Sequence, residues 1–166
     1  MIKQFNFLFV TMFGLGRIGF IPGTFGSLAT VIILFFCFHI LTISSDIILI
    51  ILLITFAYSF IAIKNHTKDN KNKDPGEIII DEFIGQAIPI YLYEISHGIE
   101  KATDQAMIIY AICFILFRFF DIKKPFPVSY FDKKQKNSFG VVMDDVCAGF
   151  YVVLSLICFM VIKSYV

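Results

Sequence analysis

Long apolar runs alternate with short polar breaks along this chain, and the run lengths predict helices that cross a bilayer. Residues 28–43 and 47–63 are apolar over 16 and 17 positions, joined by the tight link Ser44-Ser45-Asp46. About 20 residues cover a hydrocarbon core, so flanking residues would extend each run by a turn. Residues 64–76 form a polar loop that closes on Asp74-Pro75-Gly76, a turn-forming triplet. Further apolar segments cover 77–93, 105–117 and 146–162, with a short polar loop over 94–104. Residues 1–13 are apolar but short, with one lysine and no small-residue cleavage site, which fits an interfacial or packed helix better than a signal peptide. The pattern predicts an all-α chain: a polytopic helical membrane bundle of about five spans, forming a single domain over residues 1–166.

Composition sharpens this reading. Hydrophobic residues make up 58% of the chain, 21 of them Phe, and charged residues only 16%. Soluble domains run at about 45–50% apolar and about 25% charged, so the apolar excess must face lipid or a partner. A net charge of +1 excludes a global basic excess for nucleic acid. Cys37, Cys113, Cys147 and Cys158 stand singly in apolar segments with no C-x-x-C spacing, which reads as buried thiols. Lysine and arginine gather in residues 1–26, 64–77 and 123–136, against Lys101 and Lys163 elsewhere and Arg118 at the end of its span. The positive-inside rule then puts the N-terminus in the cytoplasm and the C-terminus outside.

Charges within the apolar segments carry the chemistry. Asp81-Glu82 opens the third segment, and carboxylates in such a place are functional by default unless they sit in headgroup water. Arg118 and Asp121 lie three residues apart, on one face if that helix persists. Lys123, Lys124, Pro125 and Pro127 then end the helix. Asp144-Asp145 stands at the mouth of the last span. Two carboxylates about 5 Å apart repel by about 3 kcal/mol at an effective dielectric of about 20, so a positive partner is expected there. Residues 14–27 hold five glycines, Pro22, Thr24 and Ser27 just before the first span. Thr24 or Ser27 could cap that helix, whose free N–H groups attract anions; a plain re-entrant turn is the alternative. With five spans, all these groups fall at the cytoplasmic ends, which makes a metal and phosphate site. The histidines add little: His66 reads as solvated, His97 lacks a partner at metal spacing, and His39 suits a core or lipid-interface position.

The same blocks carry a family resemblance. G-x-G-x-x-x-x-x-P-G-T-x-G-S-L at 14–28, I-D-E-F-I-G at 80–85, F-R-x-x-D-x-x-K-P-x-P at 117–127 and M-D-D-x-x-A-G at 143–149 resemble phosphatidylglycerophosphatase A, in order and over nearly the whole chain. The resemblance implies an all-helical inner-membrane enzyme that removes the terminal phosphate of phosphatidylglycerophosphate with Mg²⁺. Gly19, the proline-free stretch around Ile32 and Asn137-Ser138 depart from the family pattern, in loop stiffness and not in the acids. A phosphomonoester dianion needs charge neutralisation and an in-line nucleophile. Asp81, Glu82, Asp121, Asp144 and Asp145 form the pool of catalytic groups and Mg²⁺ ligands. One of them could instead serve as general base or covalent nucleophile. Arg118 and Lys124 would clamp the phosphate, helped by the Gly23–Thr24 backbone, unless Arg118 only pairs with Asp121; Lys123 can be a surface charge near anionic lipid. The expected partner is a phospholipid substrate.

Two rival classes make different demands. A small cation- or proton-coupled transporter would also place carboxylates in its helices, but near the midplane or on both faces. A CDP-alcohol phosphotransferase would show D-G-x-x-A-R, which this chain lacks. A structural membrane subunit explains the spans and not the acids.

Overall fold

The computed structural model describes residues 2–68, 72, 74–97 and 103–165. Seven α-helices and no strand occur among the described residues: α1 Ile2–Val10, α2 Pro22–Phe35, α3 Ser45–His66, α4 Ile80–His97, α5 Thr103–Lys123, α6 Val128–Lys134 and α7 Ser138–Ser164. The expected solitary state of the His97 side chain and residues 98–102 of the expected 94–104 loop lie outside the described residues; 94–97 and 103–104 belong to α4 and α5 instead.

Local chemistry sets the boundaries. After α1, Met12, Phe13 and Gly14 take positive φ (45°, 58° and 94°) and reverse the chain into a single 3-10 turn at Leu15–Arg17. Pro22 occupies the first turn of α2, where its missing N–H costs nothing. The cap differs from the expectation. Ile21 precedes the helix with no side-chain bond. Ser27 and Thr30 instead lie inside α2, and their hydroxyls donate to the Gly23 and Gly26 carbonyls at 2.9 and 2.8 Å. α2 continues as a π turn over Phe36–Ile40. α5 runs on through Arg118 and Asp121 to Lys123, and Lys124 leaves it with φ 46°. The basic stretch after Pro127 forms a short helix, α6. α7 begins earlier than its apolar run because the Asn137 side chain accepts from the Gly140 N–H at 2.9 Å. Asp144 and Asp145 therefore sit in the second turn of a helix and not at its mouth.

Four helical stretches are long and apolar enough to cross a membrane: Pro22–Ile40, Ser45–His66, Asp104–Lys123 and Ser138–Ser164. Only 22–28% of each apolar window is buried within the protein, so their outer faces need lipid. α3 shows it best, with Ile47, Leu49, Ile50, Ile51, Leu53 and Ile54 all exposed. α4, expected as a fifth span, differs in kind. It carries Asp81, Glu82, Gln86 and Glu94 among its apolar residues, and α2, α3, α5 and α7 all pack against it. Ile84, Ala87, Ile90 and Tyr91 are buried on it. α4 is the core helix, and four apolar helices surround it.

Glycine brings α4 against α7. A Cβ at Gly85 would lie 2.5 Å from the Asp145 carbonyl oxygen, and one at Gly149 would lie 2.3 Å from the Gly85 oxygen. Pro89 lacks the N–H that would bond the Gly85 carbonyl, four residues back. That carbonyl faces the Gly149 backbone instead.

Polar clusters mark both ends of the bundle. At the end of α4 away from its acids, His39 Nε2 lies 3.3 Å from Glu94 Oε1, and the Tyr110 hydroxyl donates to the same oxygen at 3.2 Å. At the other end, His66 is not solvated as expected: its Nε2 lies 3.0 Å from Glu77 Oε1. The chain around α1 folds back over the end of α3, the Ile79 N–H donates to the Val10 carbonyl at 2.9 Å, and Gly16 presses on the Glu77 backbone. Cys113 is buried as expected, whereas Cys158 is on an exposed face of α7; all four thiols are free.

Candidate active site

Three carboxylates meet inside the bundle. Asp81 and Glu82 come from the first turn of α4 and Asp145 from the second turn of α7, and each places an oxygen within 4.8 Å of the other two. Asp81 and Asp145 are 5% and 4% exposed. Asp81 Oδ1, Glu82 Oε2 and Asp145 Oδ1 are buried without a hydrogen-bond partner among the described residues. Bare carboxylates gathered in this way cost several kcal/mol each, so they call for a cation. An all-oxygen acidic cage suits a hard divalent ion such as Mg²⁺.

The other two acids of the expected pool are already paired. Arg118 Nη1 lies 2.6 Å from Asp121 Oδ2, the one-turn spacing that the sequence anticipates. Lys124 Nζ donates to Asp144 Oδ2 at 2.8 Å and to Asp132 Oδ1 at 2.5 Å. Burial alone would pull the Lys124 ammonium down, but the Asp144 charge and the bonds to Asp132 and Asp144 outweigh it and hold the group above its ordinary range. Asp144 Oδ1 also accepts from the Asp145 N–H at 3.0 Å. Asp144 thus ties Lys124 to the backbone of a residue in the acid triad.

α2 closes the site. A Cβ at Gly23 would lie 2.2 Å from Glu82 Oε1 and 3.1 Å from Arg118 Nη1. Only a glycine there lets the turn reach both the acid and the guanidinium. Arg118 Nη1 also points to Ser27 Oγ at 3.4 Å. Arg118 Nε remains buried and unpartnered among the described residues. Thr24 is half-buried in the first turn of α2, and its N–H donates to the Ile21 carbonyl at 3.1 Å, so it is spoken for locally. Beside Lys124 a cleft of about 490 Å³ is lined by Asp74, Asp132, Asp144 and Lys136, among others.

The predicted residues therefore divide by geometry. Asp81, Glu82 and Asp145 form one cluster, with Gly23 and Arg118 at its edge. Asp121, Asp144 and Lys124 surround it through ion pairs. Ser27 and Asp132 escaped the sequence reading. Ser27 looked like a cap, and Asp132 was one acid in a basic stretch; only the fold shows what each touches.

Comparison with known proteins assigns the chain to a family. The family model for phosphatidylglycerophosphatase A matches residues 8–160. A phosphatidylglycerophosphatase A of Haemophilus influenzae is 37% identical over 142 residues, covering 86% of this chain and 80% of its own length. A Bacteroides thetaiotaomicron protein named as a candidate phosphatidylinositol-3-phosphatase is 34% identical over 145 residues, covering 85% and 84%. A phosphatidylglycerophosphatase A of Escherichia coli is 28% identical over 137 residues, covering 82% and 73%. No solved structure matches. The matched region contains α2 to α6 whole, with the acid triad, Arg118 and Lys124 inside it, and on that breadth the chain belongs to the phosphatidylglycerophosphatase A family.

Proposed function

We propose that this protein is a Mg²⁺-dependent lipid phosphatase that hydrolyses the terminal phosphomonoester of phosphatidylglycerophosphate, releasing phosphate and phosphatidylglycerol. The observation that carries the proposal is the carboxylate trio beside an arginine: Asp81 and Asp145 are buried, Glu82 is half-buried, and each has a buried oxygen without a partner among the described residues. Asp81, Glu82 and Asp145 fit the ion because their oxygens converge, and Asp81 Oδ1, Glu82 Oε2 and Asp145 Oδ1 have no hydrogen-bond partner among the described residues. Bound there, Mg²⁺ would neutralise phosphate charge and supply an activated water. Arg118 stands at the edge of the trio with its fork held by Asp121 and Ser27, which orients it toward a phosphate. Gly23 leaves the space for that approach. Lys124, fixed by Asp132 and Asp144, supplies the second positive charge.

The site lies at the cytoplasmic end of the bundle in this reading, and the bundle sits in the inner membrane. The lysine-rich stretches flank the acid end. α4 would be the fifth crossing. Its 18 residues reach about 27 Å, and its far end meets α2 and α5 at His39 and Tyr110, so it traverses the same thickness as they do. A transporter would need polar groups along a path through the bundle; here the unpaired carboxylates gather at one end. The Bacteroides relative's name gives a second candidate substrate, a phosphoinositide monoester.

The test is phosphate release by purified protein in mixed micelles, with phosphatidylglycerophosphate and phosphatidylinositol 3-phosphate as separate arms. Mg²⁺-dependent release from the first, abolished by EDTA, is expected. Release that ignores EDTA would remove the metal from the proposal, and release only from the inositol lipid would replace the substrate.

A further inference from the structure

Gln86 is fully buried at 0% exposure, and neither its Nε2 nor its Oε1 has a partner among the described residues. An amide removed from water without a hydrogen bond costs roughly 2–7 kcal/mol. A Leu or Met would fill the same space without that penalty. Packing therefore does not explain why glutamine stands here.

Its neighbours do. Among the described residues, the buried side-chain atoms without partners belong to Asp81, Glu82, Asp145, Arg118 and Gln86, apart from His39 at the far end. Gln86 follows Glu82 by four residues on α4. Four helical steps advance about 6 Å and turn about 40° past a full revolution, so Gln86 stands one turn deeper on the flank that carries Glu82. From one turn below, a side-chain amide is within reach of the carboxylates through one ordered water.

We propose that the ion site extends one helical turn below the carboxylates, with Gln86 as its floor. Gln86 is a positioning residue: its amide holds ordered water against the Glu82 carboxylate and the ligand shell of the bound cation. The amide offers both donors and an acceptor, as a buried water with two to four partners requires. The water it holds donates to Glu82 Oε2, which otherwise accepts nothing, and fixes that carboxylate's orientation. Groups behind metal ligands act in this way, and removing one typically weakens metal binding about 10–100-fold. This inference rests on the cation reading given under the proposed function.

The test is Mn²⁺ binding to the purified full chain in detergent, followed by EPR, alongside thermal unfolding. Mn²⁺ suits oxygen cages like those of Mg²⁺ and is visible directly. Gln86→Met should weaken Mn²⁺ binding about 10–100-fold while its unfolding temperature holds or rises, because an apolar side chain replaces an unpaired amide. Gln86→Asn keeps the amide with more room for water and should stay within about threefold of the parent, against the larger loss set by outer-shell removal. Gln86→Met binding Mn²⁺ as tightly as the parent overturns the inference and leaves the cation reading standing. So does an Asn variant as weak as the Met one, since side-chain length would then be the cause. If Gln86→Met does not accumulate, Gln86→Leu replaces it; loss of folding in both means the amide has a protein partner, and the inference falls. A parent protein that binds no Mn²⁺ overturns the cation reading and this inference together.

Discussion

Alanine at Gly85 should cost this enzyme about 10²-fold in activity and also stability. The added Cβ would sit 2.5 Å from the Asp145 carbonyl oxygen, 2.7 Å from its carbonyl carbon and 2.8 Å from Phe117 Cε2. Heavy atoms rest at about 3.5–4.0 Å, so relief needs a displacement of about 1 Å. Phe117 is itself fully buried, and the Asp145 carbonyl is helix backbone. Neither can swing aside alone; α7 must move off α4. That motion carries Asp145 away from Asp81 and Glu82. Overpacking of this kind costs typically about 1–3 kcal/mol of stability, whereas a misplacement of about 1 Å at a reacting centre costs about 10²-fold in rate. Mg²⁺ is the least forgiving ion here because it demands near-octahedral oxygens at about 2.0–2.1 Å. Phosphate release at fixed lipid fraction, titrated with Mg²⁺, measures the first effect, and thermal unfolding the second. Gly76→Ala is the control, because its Cβ would meet only Pro22 Cγ at 4.0 Å. A Gly85→Ala enzyme with normal rate and an unshifted Mg²⁺ curve would refute the claim that the α4–α7 backbone approach sets the site.

Three other outcomes follow from the same geometry. Asp145→Asn and Glu82→Gln should each abolish turnover without releasing the protein from the membrane, with partial recovery at high Mg²⁺ for one of them; wild-type turnover of both at limiting Mg²⁺ would make the acids structural. Arg118→Lys keeps the charge but loses the fork, and Lys124→Ala loses its contact altogether, so each should lose about 10²–10³-fold in rate. Neither should shift the Mg²⁺ concentration for half-maximal rate, because neither residue belongs to the trio, and an Arg118→Lys enzyme at full rate would reduce Arg118 to an ion-pair partner of Asp121. In a background without the native cysteines, an impermeant thiol reagent applied to intact cells should label Glu100→Cys and spare Asn72→Cys and Gln135→Cys; labelling at Gln135→Cys would overturn the cytoplasmic placement.

The acids were legible in the sequence because charge in an apolar run needs a reason, and Asp81-Glu82 and Asp144-Asp145 stood out on that ground alone. The pairing of Arg118 with Asp121 was legible from spacing. The division among the acids was not. Asp144 and Asp145 are neighbours, about 100° apart on one helix, so one turns to Lys124 and the other into the trio. Adjacent letters conceal that separation. The span count blurred for a related reason. Hydropathy reports how apolar a segment is, and α4 is apolar because protein surrounds much of it, whereas α3 is apolar because lipid would. His66 was misread because nothing local shows that Glu77, eleven residues on, folds back to meet it. The helix boundaries shifted where a single side chain decides them, as Asn137 does for α7.

Membrane catalysis on a charged substrate poses a conflict that α4 resolves. The acids must lie near the lipid headgroup, yet an exposed carboxylate facing hydrocarbon costs several kcal/mol. Surrounding the acidic helix with four apolar ones removes that cost but raises another, since buried carboxylates repel and lose their water. Close approach at Gly85, Gly149 and Gly23 keeps the trio within 4.8 Å, close enough for one divalent ion to touch all three and offset most of their charge. The glycines thus do for the acids what longer side chains could not: they shorten the distance between helices instead of bridging it. On the proposed metal reading, the ion would be part of the fold as well as of the chemistry. Because binding to the native state stabilises by mass action, Mg²⁺ should raise the unfolding temperature of the parent protein. In Asp145→Asn that increment should shrink, and an equal increment in both proteins would place the stabilising ion somewhere other than the trio.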